Sequence, residues 1–117
     1  MNRKIKFRMW NDYDKKIIYW NELLESNLAN IFTMSQYSKW LMQYTGFNDR
    51  SGKEIYENDI VYVAGEDKNA IIEWDEETAR FIIHYDGWIS DFDNYYGYEL
   101  EVIGNIYDNP ELLGSEE

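Results

Sequence analysis

The acidic residues of this sequence are the ones whose type and spacing could support catalysis. Glycoside hydrolysis needs two of them, one as an acid and the other as a base or nucleophile. Four acidic residues in or beside strand-like segments are the candidates, provided that the fold brings them to one cleft: Glu73, Asp75, Asp91 and Asp93. The chain also has 5 Trp and 11 Tyr, which would then serve as sugar platforms. Strand aromatics pair across sheets and fill cores of their own accord, however, and composition does not establish function.

Asp91 and Asp93 also resemble the start of a calcium-binding loop. An EF-hand loop places a third oxygen ligand at its fifth position, Gly at its sixth and Glu at its twelfth. Counted from Asp91, the sequence has two tyrosines and then Val102 at those positions. The pattern therefore fails, and Asp12 and Asp14 fail in the same way. We interpret both segments as solvated loops.

His84 is the only histidine in the chain, and there is no cysteine. These counts exclude multi-histidine metal sites, zinc thiolates, disulfides and thiol catalysis. The sequence has no G-x-S-x-G turn, phosphate-binding loop, dinucleotide fingerprint or HEXXH helix. Between Ile83 and Tyr85, the histidine is interpreted as a strand residue that faces solvent or makes a structural hydrogen bond. The sequence predicts no catalytic, cofactor-binding or metal-ligating residue, and we expect a protein that is not an enzyme.

The net charge of -12 is unevenly distributed along the chain. Residues 1–53 contain 9 basic and 5 acidic side chains, whereas residues 54–117 contain 2 basic and 18 acidic ones. Nucleic-acid binding depends on clustered Lys and Arg, and anionic membranes also attract basic segments, so we expect direct contact with neither. The acidic residues are interleaved with aromatic and aliphatic ones, which places them on a folded surface and not on a disordered tail.

Length and hydropathy predict one soluble domain. The chain has 117 residues, and 44% of them are hydrophobic, which is enough for a single core. No apolar run approaches the roughly 20 residues of a membrane span, and the first residues do not resemble a signal peptide. We expect a cytoplasmic domain over residues 1–113, followed by a frayed tail over residues 114–117.

Strand patterns begin near the start of the chain. Residues 5–10 alternate with period two, so that the apolar side chains fall on one face and Lys6 and Arg8 on the other, as in a half-buried strand. Turn formers separate this segment from a second strand at residues 16–20, which predicts a hairpin. Residues 21–38 mix helical spacing with residues that favour caps and turns, which predicts a short helix or an ordered loop.

The remaining strands recur about every ten residues. They are predicted over residues 39–44, 60–63, 70–75, 80–85, 88–90 and 99–107. Turn formers lie between them, among them Gly52, which adopts positive φ without penalty. Short strands at this spacing are typical of a small antiparallel barrel or sandwich.

Residues 42–61, MQYTGFNDRSGKEIYENDIV, strongly resemble the signature of the YopX family, small proteins of bacteriophages and prophages. Residues 5–10 resemble the first strand of that family, and residues 101–113 resemble its ending. The resemblance implies a mainly β fold, with a small antiparallel SH3-like barrel preceded by the N-terminal β-hairpin and the short helix or ordered loop. It also implies self-association and no established biochemical activity, and it brings no catalytic residues.

The signature has a physical interpretation that does not depend on the family. Asn58-Asp59 replaces the more typical Gly-Asp pair, and Asn is the natural substitute where the backbone is left-handed. Ile55 and Tyr56 are predicted to anchor an otherwise polar loop, and Asp59 to accept backbone N–H bonds where a buried strand begins. These residues are therefore predicted to be architectural.

The sequence thus favours a non-enzymatic phage or prophage accessory protein that forms homo-oligomers and contacts a host or phage protein. One alternative is an acidic DNA mimic that inhibits a host nucleic-acid-binding protein, because residues 54–117 are so acidic. Another is a carbohydrate-binding module. We further expect the basic N-terminal residues to lie against the acidic body of the same or a neighbouring chain. Those residues are Arg3, Lys4, Lys6 and Arg8.

Overall fold

The structure is a computed structural model. It describes residues 4–26, 39–85, 88–91 and 99–113. The chain is mainly β, with two antiparallel sheets, one of which curls into half a barrel. This confirms the predicted fold class. Contacts divide the chain into two compact units, residues 1–44 and residues 45–117. The predicted tail at 114–117 lies outside the described residues, and the predicted single domain over 1–113 stays a prediction.

The strands are β1 (Phe7–Asn11), β2 (Lys16–Ile18), β3 (Leu41–Asn48), β4 (Glu54–Tyr56), β5 (Asp59–Val63), β6 (Lys68–Asp75), β7 (Arg80–Tyr85), β8 (Trp88–Asp91) and β9 (Leu100–Asn105). One helix, α1, spans Trp20–Leu23, and a 3₁₀ helix spans Pro110–Leu113. The first sheet has the order β2-β1-β3-β4, and the second has the order β8-β7-β6-β5-β9.

The predicted N-terminal hairpin is present in the first unit. Strands β1 and β2 pair antiparallel, with Met9 opposite Ile18. The turn forms because the Asn11 side-chain oxygen accepts the backbone N–H groups of Tyr13 and Asp14, each at 3.0 Å. Helix α1 follows, which confirms a short helix at the start of the segment expected to be helix or loop. Residues 27–38 of that segment lie outside the described residues.

The expectation of a half-buried first strand is wrong for Arg8. Its side chain is 4% exposed, although alternation put it on the solvent face. Its neighbours Met9 and Trp10 are buried as well, so both faces of β1 are covered at this point and alternation does not identify a solvent face. Ile5, expected on the buried face, precedes the strand and is exposed.

The second unit contains the larger core. Strands β5 to β8, all at predicted strand positions, form an antiparallel meander, and β9 pairs with β5 at the other side. One face of this sheet, which we call the inner face, forms the core. Its buried cluster comprises Ile55, Val61, Val63, Ala70, Ile72, Ile83, Leu100 and Val102. Burial of such side chains stabilises a fold by about 1.5–3 kcal/mol each before chain entropy is considered. We call the opposite side of the sheet the outer face.

Strand β4 was not predicted from the sequence. The segment was interpreted as a polar loop anchored by Ile55 and Tyr56, and both of these residues are buried as expected. The Thr45 hydroxyl donates to the Ile55 carbonyl at 2.8 Å, which ties β3 to β4 beside the turn. Among the described residues, no helix has the length and apolar character needed to cross a lipid bilayer.

Candidate interaction surface

Asp49 of the signature segment is a buried carboxylate with four hydrogen-bond donors. Its Oδ1 accepts the Ser51 N–H, the Ser51 hydroxyl and the Lys53 N–H, each at 2.9 Å. Its Oδ2 accepts the Val102 N–H at 2.8 Å. Burial raises the pKa of Asp49, but the hydrogen bonds from Val102, Lys53 and Ser51 outweigh it and hold that pKa below its usual value. A carboxylate committed to these donors organises a turn and does not serve as a free acid or base.

The next turn of the signature confirms two predictions. Asn58 has φ +70°, the left-handed conformation for which Asn substitutes for Gly. Asp59 is buried, and its Oδ2 accepts the Tyr56 N–H at 2.8 Å at the point where β5 begins. The Asn58 N–H donates to the Ile72 carbonyl at 2.7 Å, and the Asn58 carbonyl accepts the Ile106 N–H at 3.1 Å. The architectural interpretation of these positions agrees with the geometry.

The ending motif is also a turn held by its own side chains. Asn105 Oδ1 accepts the backbone N–H groups of Tyr107 and Asp108, both at 2.9 Å. Asn109 Oδ1 in turn accepts the Asn105 N–H at 3.3 Å. Gly104 is required beside it, because a Cβ there would lie 2.5 Å from Asn109 Oδ1.

Of the four carboxylates considered for acid-base chemistry, the structure describes the side chains of Glu73 and Asp75. Asp75 accepts the Thr78 hydroxyl at 2.7 Å and the Glu77 N–H at 3.2 Å, so it organises the β6–β7 turn. Glu73 lies on the same outer face of β6 as Asp75. The backbone of Asp91 is in β8, opposite Ile82. Asp93 lies outside the described residues, as does most of the calcium-loop segment that was tested from the sequence.

His84 lies on the outer face, as expected for a strand residue that is open to solvent. Its Nδ1 is 3.2 Å from Glu73 Oε1, and both side chains are 37% exposed. The two atoms are within ion-pair distance, but their angle does not make a hydrogen bond, so Nδ1 lacks a hydrogen-bond partner. Across residues 4–26, 39–85, 88–91 and 99–113, no three His, Asp or Glu side chains form a group that could hold a metal ion.

An apolar row crosses the outer face beside this pair. The cross-strand register places Ile60 opposite Ile71, Ile71 opposite His84, and His84 opposite Ile89. Ile60 is fully buried, whereas Ile89 is 63% exposed. The neighbouring row places Glu73 opposite Ile82. We call the open part of these rows the outer patch. It comprises Ile71, Glu73, His84 and Ile89, whereas Ile82 in the neighbouring row is buried, with 8% of its surface exposed.

The outer patch was not predicted from the sequence. Its signal is the pair of consecutive apolar residues in each strand, Ile71-Ile72 and Ile82-Ile83, which makes both faces of the sheet apolar. Trp74 and Phe81, on the inner side, are a directly paired cross-strand aromatic couple with a centroid distance of 5.0 Å. That pair agrees with the interpretation of the aromatics as sheet residues.

The fold and the turns define a small, mainly β protein whose distinctive polar residues hold its loops in place. The model of the YopX protein family matches residues 6–114. The chain therefore belongs to the YopX family. It is similar in fold to a protein from Enterococcus faecalis, EF1440, whose crystal structure aligns with a TM-score of 0.64 and 23% identity over 97% of this chain and 100% of that one. None of the curated proteins matches the chain significantly.

Proposed function

We propose that this protein is a non-enzymatic accessory protein of a bacteriophage or prophage, acting in the bacterial cytoplasm by contact with copies of itself and with a host or phage protein. Family membership supports the phage setting, and the use of Asp49 and Asp59 for backbone bonds supports a structural role for the signature. The observation that carries the proposal is the outer patch, where Ile89 is 63% exposed beside half-exposed His84 and Glu73.

The outer patch has the mixed character of a protein interface. Interfaces combine a small apolar centre with a polar rim, and isolated exposed apolar residues carry no such meaning. Here the register makes Ile71, His84 and Ile89 neighbours on one face, and Glu73 borders them. Aliphatic residues between acids also favour contact with a protein over imitation of a phosphate array, in which negative charges would be uninterrupted.

The test uses the purified protein as bait in bacterial lysate, together with light scattering for its own mass. We expect a mass above the 14.2 kDa of one chain and at least one protein that co-purifies in constant proportion. A monomer that captures nothing, yet hydrolyses a glycoside in a reaction lost in Glu73→Gln, would overturn the proposal.

DNA mimicry makes a different prediction for the same captured partner. If the protein imitates a phosphate backbone, the affinity between it and the partner should fall steeply between about 50 and about 200 mM salt, because the attraction is electrostatic. A partner bound mainly through the apolar row would lose much less affinity over that range. The slope of affinity against salt therefore decides between the two modes of contact.

A further inference from the structure

We propose that the outer patch docks an extended basic segment of another polypeptide, one that presents an aliphatic residue and a Lys or Arg two positions apart. This inference rests on the proposed function and specifies the chemistry of the partner. It commits to a heterologous segment of that chemistry and not to a nucleic acid or a lipid.

The distance between the row through Ile71 and the row through Glu73 determines the spacing of the side chains in the partner. Adjacent strands are about 4.8 Å apart, so Ile71 and Ile89, two strands apart, are separated by about 9.6 Å across the row. Along β6, Ile71 and Glu73 are two residues and so about 6.7 Å apart. An extended segment that runs along the strands repeats its side chains on one face at the same distance. It would therefore place an aliphatic side chain on the row and a basic one at Glu73.

Part of the outer face is covered by the chain itself. On the β5–β6 side, Asn69 Nδ2 donates to the Leu112 carbonyl at 2.8 Å and anchors the 3₁₀ helix there. Ile60, in that part of the row, has no exposed surface. Three strands further on, in β8, Ile89 is largely exposed. The open end of the row is thus continuous with a surface that already holds one segment of chain.

Charge determines which segment fits the open end. The Glu73 carboxylate lies beside His84 without a hydrogen bond between them, and a carboxylate accepts several donors. A guanidinium or ammonium group would form a charge-assisted bond there. Residues 54–117 carry 18 acidic and 2 basic side chains, so a basic segment is attracted over a distance and an acidic one repelled.

The test is a titration of the isotopically labelled full chain with a synthetic peptide of repeated Leu-Ser-Arg units, followed by amide chemical shifts. A matched peptide of Gly-Ser-Arg units keeps the charge and removes the aliphatic side chains. We expect the Leu peptide to bind more tightly and to shift the amides of β6, β7 and β8 first. Equal affinity of the two peptides, shifts centred elsewhere, or no shifts at millimolar peptide would each overturn the inference.

Substitutions locate the binding more sharply. Ile89→Ser should weaken the Leu peptide about tenfold or more, because burial of one aliphatic side chain is worth at least that factor. Glu73→Gln should weaken it less and reduce its salt dependence. Two controls should bind as the native chain does: Leu24→Ser, an exposed aliphatic of the first unit, and Glu101→Gln, whose carboxylate already pairs with Arg50 at 2.8 Å.

Failure of this inference is distinguishable from failure of the proposed function. If Ile89→Ser binds the peptide as well as the native chain does, the assigned patch is wrong, whatever the lysate experiment gives. If the native chain is a monomer and captures nothing, the proposed function fails, even where the peptide binds.

Discussion

The Asp49 carboxylate accepts the backbone N–H of Val102 in a buried hydrogen bond of 2.8 Å that joins residues 53 positions apart. Beside it, the Arg50 N–H donates to the Leu100 carbonyl at 3.1 Å. The turn of the signature segment therefore satisfies backbone groups of β9, a strand at the edge of its sheet. Edge strands with open backbone groups invite pairing with other chains, and this turn protects one of them.

Asp49→Asn should destabilise the protein by about 2–4 kcal/mol, because the amide cannot accept all four donors and leaves buried N–H groups unpaired. Unfolding in urea, followed by tryptophan fluorescence, measures the change. Asp67→Asn is the matched control. Asp67 is exposed, accepts the Tyr62 hydroxyl and has φ +54°, and Asn is compatible with all three properties. The free energy of unfolding of Asp67→Asn should therefore stay within about 0.5 kcal/mol of the native value. Equal effects of the two substitutions would contradict this account of Asp49.

The contribution of Asp49 should depend on pH. The pKa of its carboxyl is lowered in the folded chain, so its stabilising effect is fully present above the unfolded-state pKa of about 3.9 and is lost as pH falls through the folded-state value. The difference in unfolding free energy between the native chain and Asp49→Asn should therefore be constant from neutral pH to about pH 5 and shrink in more acidic solution. A difference that does not change down to about pH 3 would show that the charge has no such role.

Asn58 should respond to substitution as a left-handed residue. Asn58→Gly should change stability by less than about 0.5 kcal/mol, since Gly adopts positive φ freely but costs more chain entropy. Asn58→Ala should destabilise by about 1 kcal/mol, and a β-branched Val by more. Melting temperatures of the three variants give the order. If Asn58→Ala proves as stable as Asn58→Gly, the positive φ is not the reason for Asn at this position.

Gly104 should tolerate no side chain, whereas Gly65 should. A Cβ at Gly104 would lie 2.5 to 2.9 Å from three atoms of Asn109, including its Cβ, which a rotation of the side chain does not move away. We expect Gly104→Ala to cost about 1–3 kcal/mol. A Cβ at Gly65 meets nothing within 4 Å, so Gly65→Ala should be nearly neutral. Thermal unfolding of both variants makes the comparison, and similar losses at both would argue against the close contact.

Local patterns in the sequence predicted the elements whose causes are local. Strand-like segments separated by turn formers identified β6 and β7, and turn chemistry identified the φ of Asn58 and Gly52. Strand β4 was missed because three residues between turn formers carry too little periodicity. Its burial was still predictable, since Ile55 and Tyr56 are the apolar residues of a polar loop.

Contacts between distant residues were not predictable in the same way. The turn formers around Gly52 indicate a turn, but nothing near Asp49 indicates that its second oxygen accepts a bond from Val102. The outer patch was missed for a related reason. Ile82 is buried on the outer face and Ile89 is exposed on it, and that difference depends on tertiary packing, which local patterns do not indicate.

The most direct test of action by protein contact is quantitative mass spectrometry of the proteins that co-purify from bacterial lysate with three baits: the native chain, Ile89→Ser and Leu24→Ser. We predict a discrete protein in constant proportion with the native chain and with Leu24→Ser, and a reduction of about fivefold or more with Ile89→Ser. No protein enriched by the native chain over a column without bait would contradict the central claim.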